Sequence, residues 1–251
     1  MSPPRPLAFL VSILASMTLA PAGEGVQRQW TSQDGAKKLE ARFVKLRGEM
    51  VTLQPLKDPK PTTFPLKLLS TPDQELARRF GEFFPEGAPA EEIPVLSLFH
   101  PGASMDEVEK IVKGCKELTG GLPKELLGRT GLNGVYTIKV AGEPFQLFFG
   151  WDESNNLLDV SLHSGPVNEE GYETQARKVW AKYRQILLAR HGVPNPDLGY
   201  PSVDSFHDGQ VMFSDWWQEE GGNYGLGMGR AEGKVAIIIR LTKQPPKTVR
   251  K

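Results

Sequence analysis

Three polar residues of the types used in serine catalysis alternate along one short segment: Asp159, Ser161 and His163. Side chains two residues apart on a strand point to the same face, so the three would lie in a row. A catalytic serine needs a base and an orienting acid that converge on its hydroxyl, and a row does not converge. The chain also has no G-x-S-x-G elbow. The pattern favours a solvated strand face, and we predict no catalytic residue.

Metal chemistry finds as little support in the sequence. The four histidines, His100, His163, His191 and His207, show no H-x-x-x-H spacing and no cysteine cluster accompanies them. Cys115 is the only cysteine, so no intrachain disulfide can form, and its helical context favours a small core residue. We predict no metal ligand, although a metal site assembled from distant residues stays open.

The run Gly225-Leu226-Gly227-Met228-Gly229 looks at first like a phosphate-binding loop. It lacks the following helix whose N-terminus would hold a phosphate. A Gly-rich strand against a bulky neighbour is the favoured interpretation. The aspartates in predicted turns form no D-x-D-x-D-G array for calcium. We therefore predict no cofactor.

The overall charge argues against a polyanionic partner. The 251 residues include 30 basic and 30 acidic side chains, which gives a net charge near zero. No basic patch with interleaved aromatic residues occurs, so we expect no nucleic-acid binding. The length allows one large domain or two modest ones.

Residues 1–22 have the pattern of a signal peptide. Arg5 supplies the positive charge, Leu7 to Ala20 form a short apolar stretch, and Ala20-Pro21-Ala22 is an A-x-A site. We expect cleavage after Ala22 and export to the periplasm or the extracellular space, with no membrane span left. An uncleaved anchor is the alternative interpretation.

The next region, from residue 26 to 84, has the pattern of a small β module. Apolar residues alternate through Leu39, Ala41 and Phe43, and two further short strands follow. The sequence Ser70-Thr71-Pro72-Asp73 then begins a helix. Trp30 stands before an Asp-Gly turn, and we expect it to cover the core of the module.

This module resembles the Sla-type homology domain, an SH3-like β module named after a fungal endocytic adaptor. The resemblance rests on the pattern W-T-x-x-D-G, A-x-F-V, V-x-L, P-L and L-S-x-x-D between Trp30 and Asp73. It implies a small SH3-like β-barrel that binds a protein or peptide segment, since the fungal module binds short Asn-Pro-Phe-type peptides. One departure is the loop Lys57-Asp58-Pro59-Lys60-Pro61, in which two prolines stand where members carry a Gly-containing hairpin.

After a Pro- and Glu-rich linker at residues 85–94, residues 95–243 predict an α+β domain, and residues 244–251 a flexible tail. The elements read as αβββ-αβββ, which predicts an antiparallel sheet with its helices on one face. A capping box at Ser104 and Glu107 begins the first helix. The stretch from Pro101 to Val108 is similar to the opening of small envelope proteins of the SmpA/OmlA and BLIP-like kind, which implies binding.

The adjacent pair Trp216-Trp217 suggests where such a domain would bind. Neighbouring strand residues point to opposite faces, and the parity of Val211 and Phe213 assigns Trp217 to the core. Trp216 would then lie on an unusually apolar outward face that serves as a binding surface. The predicted binding residues are Trp216, Phe148, Leu157, Ile238 and Val135. A sandwich-like fold with both faces internal is the alternative.

The sequence thus favours an exported, non-enzymatic protein-binding or envelope-associated protein. Two other functions stay open. One is a secreted hydrolase that acts on envelope polymers through a site between the domains, and the other is an inhibitor of a secreted enzyme.

Overall fold

The computed structural model of the protein describes residues 26–121, 134–219 and 221–244. The predicted signal peptide and all but the first residue of the predicted tail lie outside these residues. Within the three ranges, no helix has both the length and the apolarity needed to cross a bilayer.

The first region is a four-stranded antiparallel sheet in which each strand pairs with the next along the chain. Its strands are β1 (Gln27–Thr31), β2 (Lys38–Arg47), β3 (Met50–Pro55) and β4 (Thr62–Pro65). A 3₁₀ turn, Leu66–Leu68, leads into helix α1 (Thr71–Phe83), which packs on β2.

Trp30 lies in the core of this region, as the sequence predicts. Its side chain is 1% exposed and its ring lies 6.4 Å from those of Phe43 and Phe80. The indole N–H donates to the carbonyl of Ala41 at 2.9 Å, so its single donor is satisfied in the core. At the start of α1, the buried carboxylate of Asp73 accepts from the backbone N–H of Thr31 and joins the helix to β1.

The prediction that this region forms a small β-barrel is wrong. The described strands form no closed barrel, because β1 and β4 are the two ends of the strand order and do not pair. Closure is unnecessary for burial, since α1 places Ala77 and Phe80 against the sheet and covers its apolar face.

Helices α2 (Pro94–Ser97) and α3 (Met105–Gly114) follow. The predicted capping box of α3 is confirmed. The Ser104 hydroxyl accepts from the Glu107 backbone N–H, and the Glu107 carboxylate accepts from the Ser104 backbone N–H at 2.8 Å. These two bonds satisfy donors that the first turn would otherwise leave free, so the helix begins at Met105.

The second sheet has eight strands, and all of its paired strands are antiparallel. The short strands are β5 (Thr119–Gly120) and β9 (Val167–Asn168). The long ones are β6 (Tyr136–Val140), β7 (Glu143–Trp151), β8 (Leu157–Ser164), β10 (Val211–Glu219), β11 (Gly222–Ala231) and β12 (Lys234–Thr242). The order is β10-β11-β12-β8-β7-β6-β5, so β12 and β8 join the two halves.

Helix α4 (Arg177–His191) covers one face of this sheet, which we call the inner face. A 3₁₀ turn (Glu169–Gly171) and a π-helical turn (Tyr172–Ala176) lead into it. The Tyr183 ring meets that of Phe145 edge-on at 4.8 Å. The helix ends at Gly192, whose φ of 78° suits a residue without a side chain.

The predicted α+β class with helices on one face is also wrong. The described part of the chain is mostly β, with 41% of the described residues in strands and 27% in helices. The prediction assumed that the opposite face of the sheet, which we call the outer face, would stay open while helices covered the inner one. Trp216 and Ile238 of that outer face are nevertheless only 6% and 3% exposed.

The two regions touch at the end of α4. The backbone N–H of Val26 donates to the carbonyl of Ala189 at 2.8 Å, and the carbonyl of Val26 accepts from Phe43 in β2. The segment after α1 also bonds back to the first sheet, from the N–H of Ala88 to the carbonyl of Val44 at 2.7 Å. The first region therefore contacts both the C-terminal end of α4 and the linker.

Candidate functional site

The outer face of the second sheet carries a cross-strand row that the pairing register defines. Aligned from β10 to β7, the row consists of Trp216, Gly225, Arg240, Ser161 and Phe148. Neighbours in such a row stand directly opposite each other, where side chains interact most strongly.

A bulge decides which tryptophan lies on this face. The register of β10 shifts between Phe213 and Asp215, so Phe213 shares the outer face with Trp216, and their rings lie 4.9 Å apart. The prediction that Phe213 shares the face of Trp217 is therefore wrong. The choice of Trp217 as the core residue is confirmed, because it is 2% exposed and donates its indole N–H to the carbonyl of Gly192.

Three of the five predicted binding residues are buried. Trp216, Ile238 and Phe148 share the outer face, but only Phe148 is more than slightly exposed. Leu157 is 1% exposed and bonds through its backbone to the turn before α3. Val135 lies one residue before β6 and is half-buried. The apolar face thus offers little surface to a partner.

The glycines of β11 explain why the aromatic rings pack so closely. A side chain at Gly225 would stand 2.9 Å from the Phe213 ring and 3.0 Å from that of Trp216. At Gly227 it would stand 2.2 Å from the carbonyl oxygen of Met212. The interpretation as a Gly-rich strand against bulky neighbours is confirmed: Gly225 makes room for aromatic rings, and Gly227 makes room for the backbone of β10.

The serine and histidine of the outer face do meet, at 3.0 Å between Ser161 Oγ and His163 Nε2. Burial lowers the pKa of His163 to about 4 and outweighs the opposing charge of Asp159. Asp159 accepts instead from Arg240 at 2.6 Å. A histidine with this pKa is a weak general base near neutral pH, so the contact is better explained as an internal hydrogen bond.

A second polar cluster lies between α4 and the β10–β11 hairpin. His191 Nδ1 lies 2.6 Å from Glu219, and its ring stacks on Tyr224 at 4.2 Å. Burial acts to raise the pKa of Glu219, but the hydrogen bond from His191 and the charges of His191 and Arg190 together lower the pKa. The cavity beside this cluster measures only about 80 Å³, too little for a ligand of ordinary size.

The larger cavity is a groove of about 440 Å³ on the first sheet. Its floor is a cross-strand row of Gln27, Arg42 and Gln54, contributed by β1, β2 and β3. Its wall is the loop from Pro55 to Pro59. We call this cavity the amide groove, because side-chain amides flank Arg42 on both sides.

Hydrogen bonds fix the amide groove from within. Arg42 Nη2 donates to Gln54 Oε1 at 3.0 Å, and Gln54 Nε2 donates to the carbonyl of Pro59 at 3.2 Å. Asp58 turns into its own loop and accepts from the N–H of Lys60. The carbonyl of Pro59 thus joins the wall to the floor of the groove, while Leu56 is 48% exposed beside it.

Sequence reasoning did not select the floor of this groove. Arg42 stands between Ala41 and Phe43, so its outward parity was readable. The register that aligns it with Gln27 and Gln54 was not readable, because pairing partners depend on turns and on a shift between Phe43 and Lys45.

Within the described ranges, no three His, Cys, Asp or Glu residues are grouped so that they could hold a metal ion. Comparison of the chain with protein-family models, with curated proteins and with solved structures finds no match.

Proposed function

We propose that this protein is an exported, non-enzymatic binding protein, and that an extended protein segment lies in its amide groove. The groove itself carries this proposal. Its volume falls in the range of ordinary ligand sites, and it combines an apolar wall with a few fixed polar groups.

The chemistry of the lining suits a peptide backbone. The side-chain amides of Gln27 and Gln54 can both donate and accept, as backbone N–H and C=O groups require. Leu56 and the prolines of the wall supply apolar contact. The loop is held before binding, which reduces the entropy lost on association.

The same lining gives no support to hydrolysis in the groove. None of its eight residues is a serine, cysteine or histidine. The titratable pairs elsewhere, Ser161 with His163 and His191 with Glu219, are directed to each other on the second sheet and beside α4.

The test is selection of a phage-displayed library of 12-residue peptides on the full-length processed protein. Peptides that occupy the groove should lose most of their binding to Leu56→Asp, because the substitution places a charge on the apolar wall. The matched control is Leu198→Asp, since Leu198 is also exposed but lies outside the groove. Peptides that bind both variants equally well, or no enriched peptide at all, would refute the proposal.

A further inference from the structure

Arg42 differs from the other half-buried arginines in the described part of the chain. In each of the other four, a guanidinium nitrogen lies within 3.1 Å of a carboxylate oxygen. The pairs are Arg28 with Asp73, Arg184 with Asp215, Arg230 with Asp208, and Arg240 with Asp159. Arg42 has no such pair among the described residues, and donates to the neutral amide of Gln54 instead.

This difference matters because of where Arg42 lies. A guanidinium that is partly withdrawn from water without an opposite charge is costly, and proteins normally pair it. Here the pairing group is missing on the floor of a groove large enough for a ligand. One amide occupies one of its nitrogens, and the rest of the planar fork stays available for a carboxylate.

The shape of the site indicates which kind of carboxylate it takes. Gln27 and Arg42 line the amide groove and also a shallow depression on its other side, beside Pro89 and Glu91. Arg42 thus stands between two depressions and not at the closed end of one. A chain can pass over it in both directions, which suits a side chain better than a chain terminus.

We infer that the occupant of the amide groove is an extended protein segment with an Asp or Glu side chain on Arg42. The inference rests on the proposed function and adds the chemistry of its ligand. Glu91, Glu92 and Arg190 line the neighbouring depression but not the amide groove, and the charges of the groove itself are consistent with the inference. Asp58 is turned into its own loop, and Lys57 adds a second positive charge at the wall.

The peptide selection described above can test the inference directly. Displayed peptides are fused to the coat protein at their C-termini, so they have no free terminal carboxylate. Peptides whose binding depends on Leu56 should share an Asp or Glu at one position. In a synthetic, amidated copy, changing that residue to Asn or Gln should weaken binding by roughly tenfold or more.

Arg42→Gln should weaken binding of the acidic peptide by a similar factor, and should cause no further loss with the neutral peptide. This non-additivity identifies the two groups as partners. Lys67→Gln, which removes an exposed positive charge of the first region outside the groove, should change affinity less than twofold. Arg42→Lys should give an intermediate loss, because it keeps the charge without the planar fork.

Two outcomes would overturn the inference and leave the proposed function standing. One is a set of Leu56-dependent peptides with no shared acidic residue, and the other is losses that simply add. A selection that yields only Leu56-independent peptides would refute both the proposed function and the inference about its ligand. Thermal unfolding of each variant shows whether a loss of binding comes from a loss of fold.

Discussion

Each of the two sheets carries an arginine in a cross-strand row on a face that its helices do not cover. The two arginines differ in their bonding partners. Arg240 on the second sheet bonds to Asp159 and lies 5.8 Å from the Phe213 ring. Arg42 on the first sheet has only the amide of Gln54 and faces an open groove. The charge of Arg240 is paired with Asp159, although its Nε is buried without a hydrogen-bond partner among the described residues, whereas Arg42 has unused bonding capacity at an open groove.

This comparison shows why residue type alone is a poor guide to a site. The outer face of the second sheet holds Asp159, Ser161 and His163, whose residue types looked most reactive in the sequence. Their hydrogen bonds are directed at one another, at 3.0 Å for Ser161 with His163 and 2.6 Å for Asp159 with Arg240. The plainer row of two glutamines and an arginine is the one that can accept a ligand.

The largest expected effect concerns the closed face of the second sheet. Trp216→Ser should lower the free energy of unfolding by roughly 3–5 kcal/mol, because the ring is 6% exposed and packs on Phe213 and Gly225. Urea denaturation monitored by circular dichroism measures the loss.

Val211→Thr is the matched control, since Val211 is on the same strand but 54% exposed, and it should change stability by less than about 0.5 kcal/mol. A change within about 1 kcal/mol for Trp216→Ser would instead support the sequence-based hypothesis that Trp216 lies in an exposed binding surface. The comparison between a closed and an open face would then fail.

A second prediction uses acid to open the same face. The pKa of His163 is about 4 in the folded protein, and that of an unfolded histidine is about 6.5. The unfolded chain therefore binds a proton that the folded one does not, and stability should fall as the pH falls from about 6.5 to about 4. We expect a loss of roughly 2 kcal/mol over this window from His163.

Carboxylates titrate in the same window, so the measurement is a difference. His163→Gln should flatten the dependence of unfolding free energy on pH relative to the wild type. Val211→Thr, which changes no titratable group, should leave the slope unchanged. Equal slopes for the wild type and His163→Gln would mean that His163 is solvated, and that the outer face is open.

The sequence allowed several local features to be predicted, because each depends on neighbouring residues only. The capping box at Ser104, the burial of Trp30 and the end of α4 at Gly192 are of this kind. The closed barrel and the one-sided sheet were wrong, because both depend on what covers a face, and single-strand periodicity does not contain that information. The alignment of Gln27 with Arg42 could not be predicted for the same reason, since the register depends on both strands and not on one.

The smallest expected effect compares the two arginines directly. Arg240→Gln leaves the carboxylate of Asp159, whose side chain is 15% exposed, without its partner, and should cost roughly 1–2 kcal/mol after allowance for solvent screening. Arg42→Gln leaves no carboxylate unpaired among the described residues, and should change stability by less than about 0.5 kcal/mol. Adding Asp159→Asn to each variant by double-mutant cycle separates the pair from general effects, because only Arg240 should couple to it. A cost for Arg42→Gln as large as that for Arg240→Gln would show that Arg42 stabilises the fold, and it would remove the reason to treat its free bonding capacity as a ligand site.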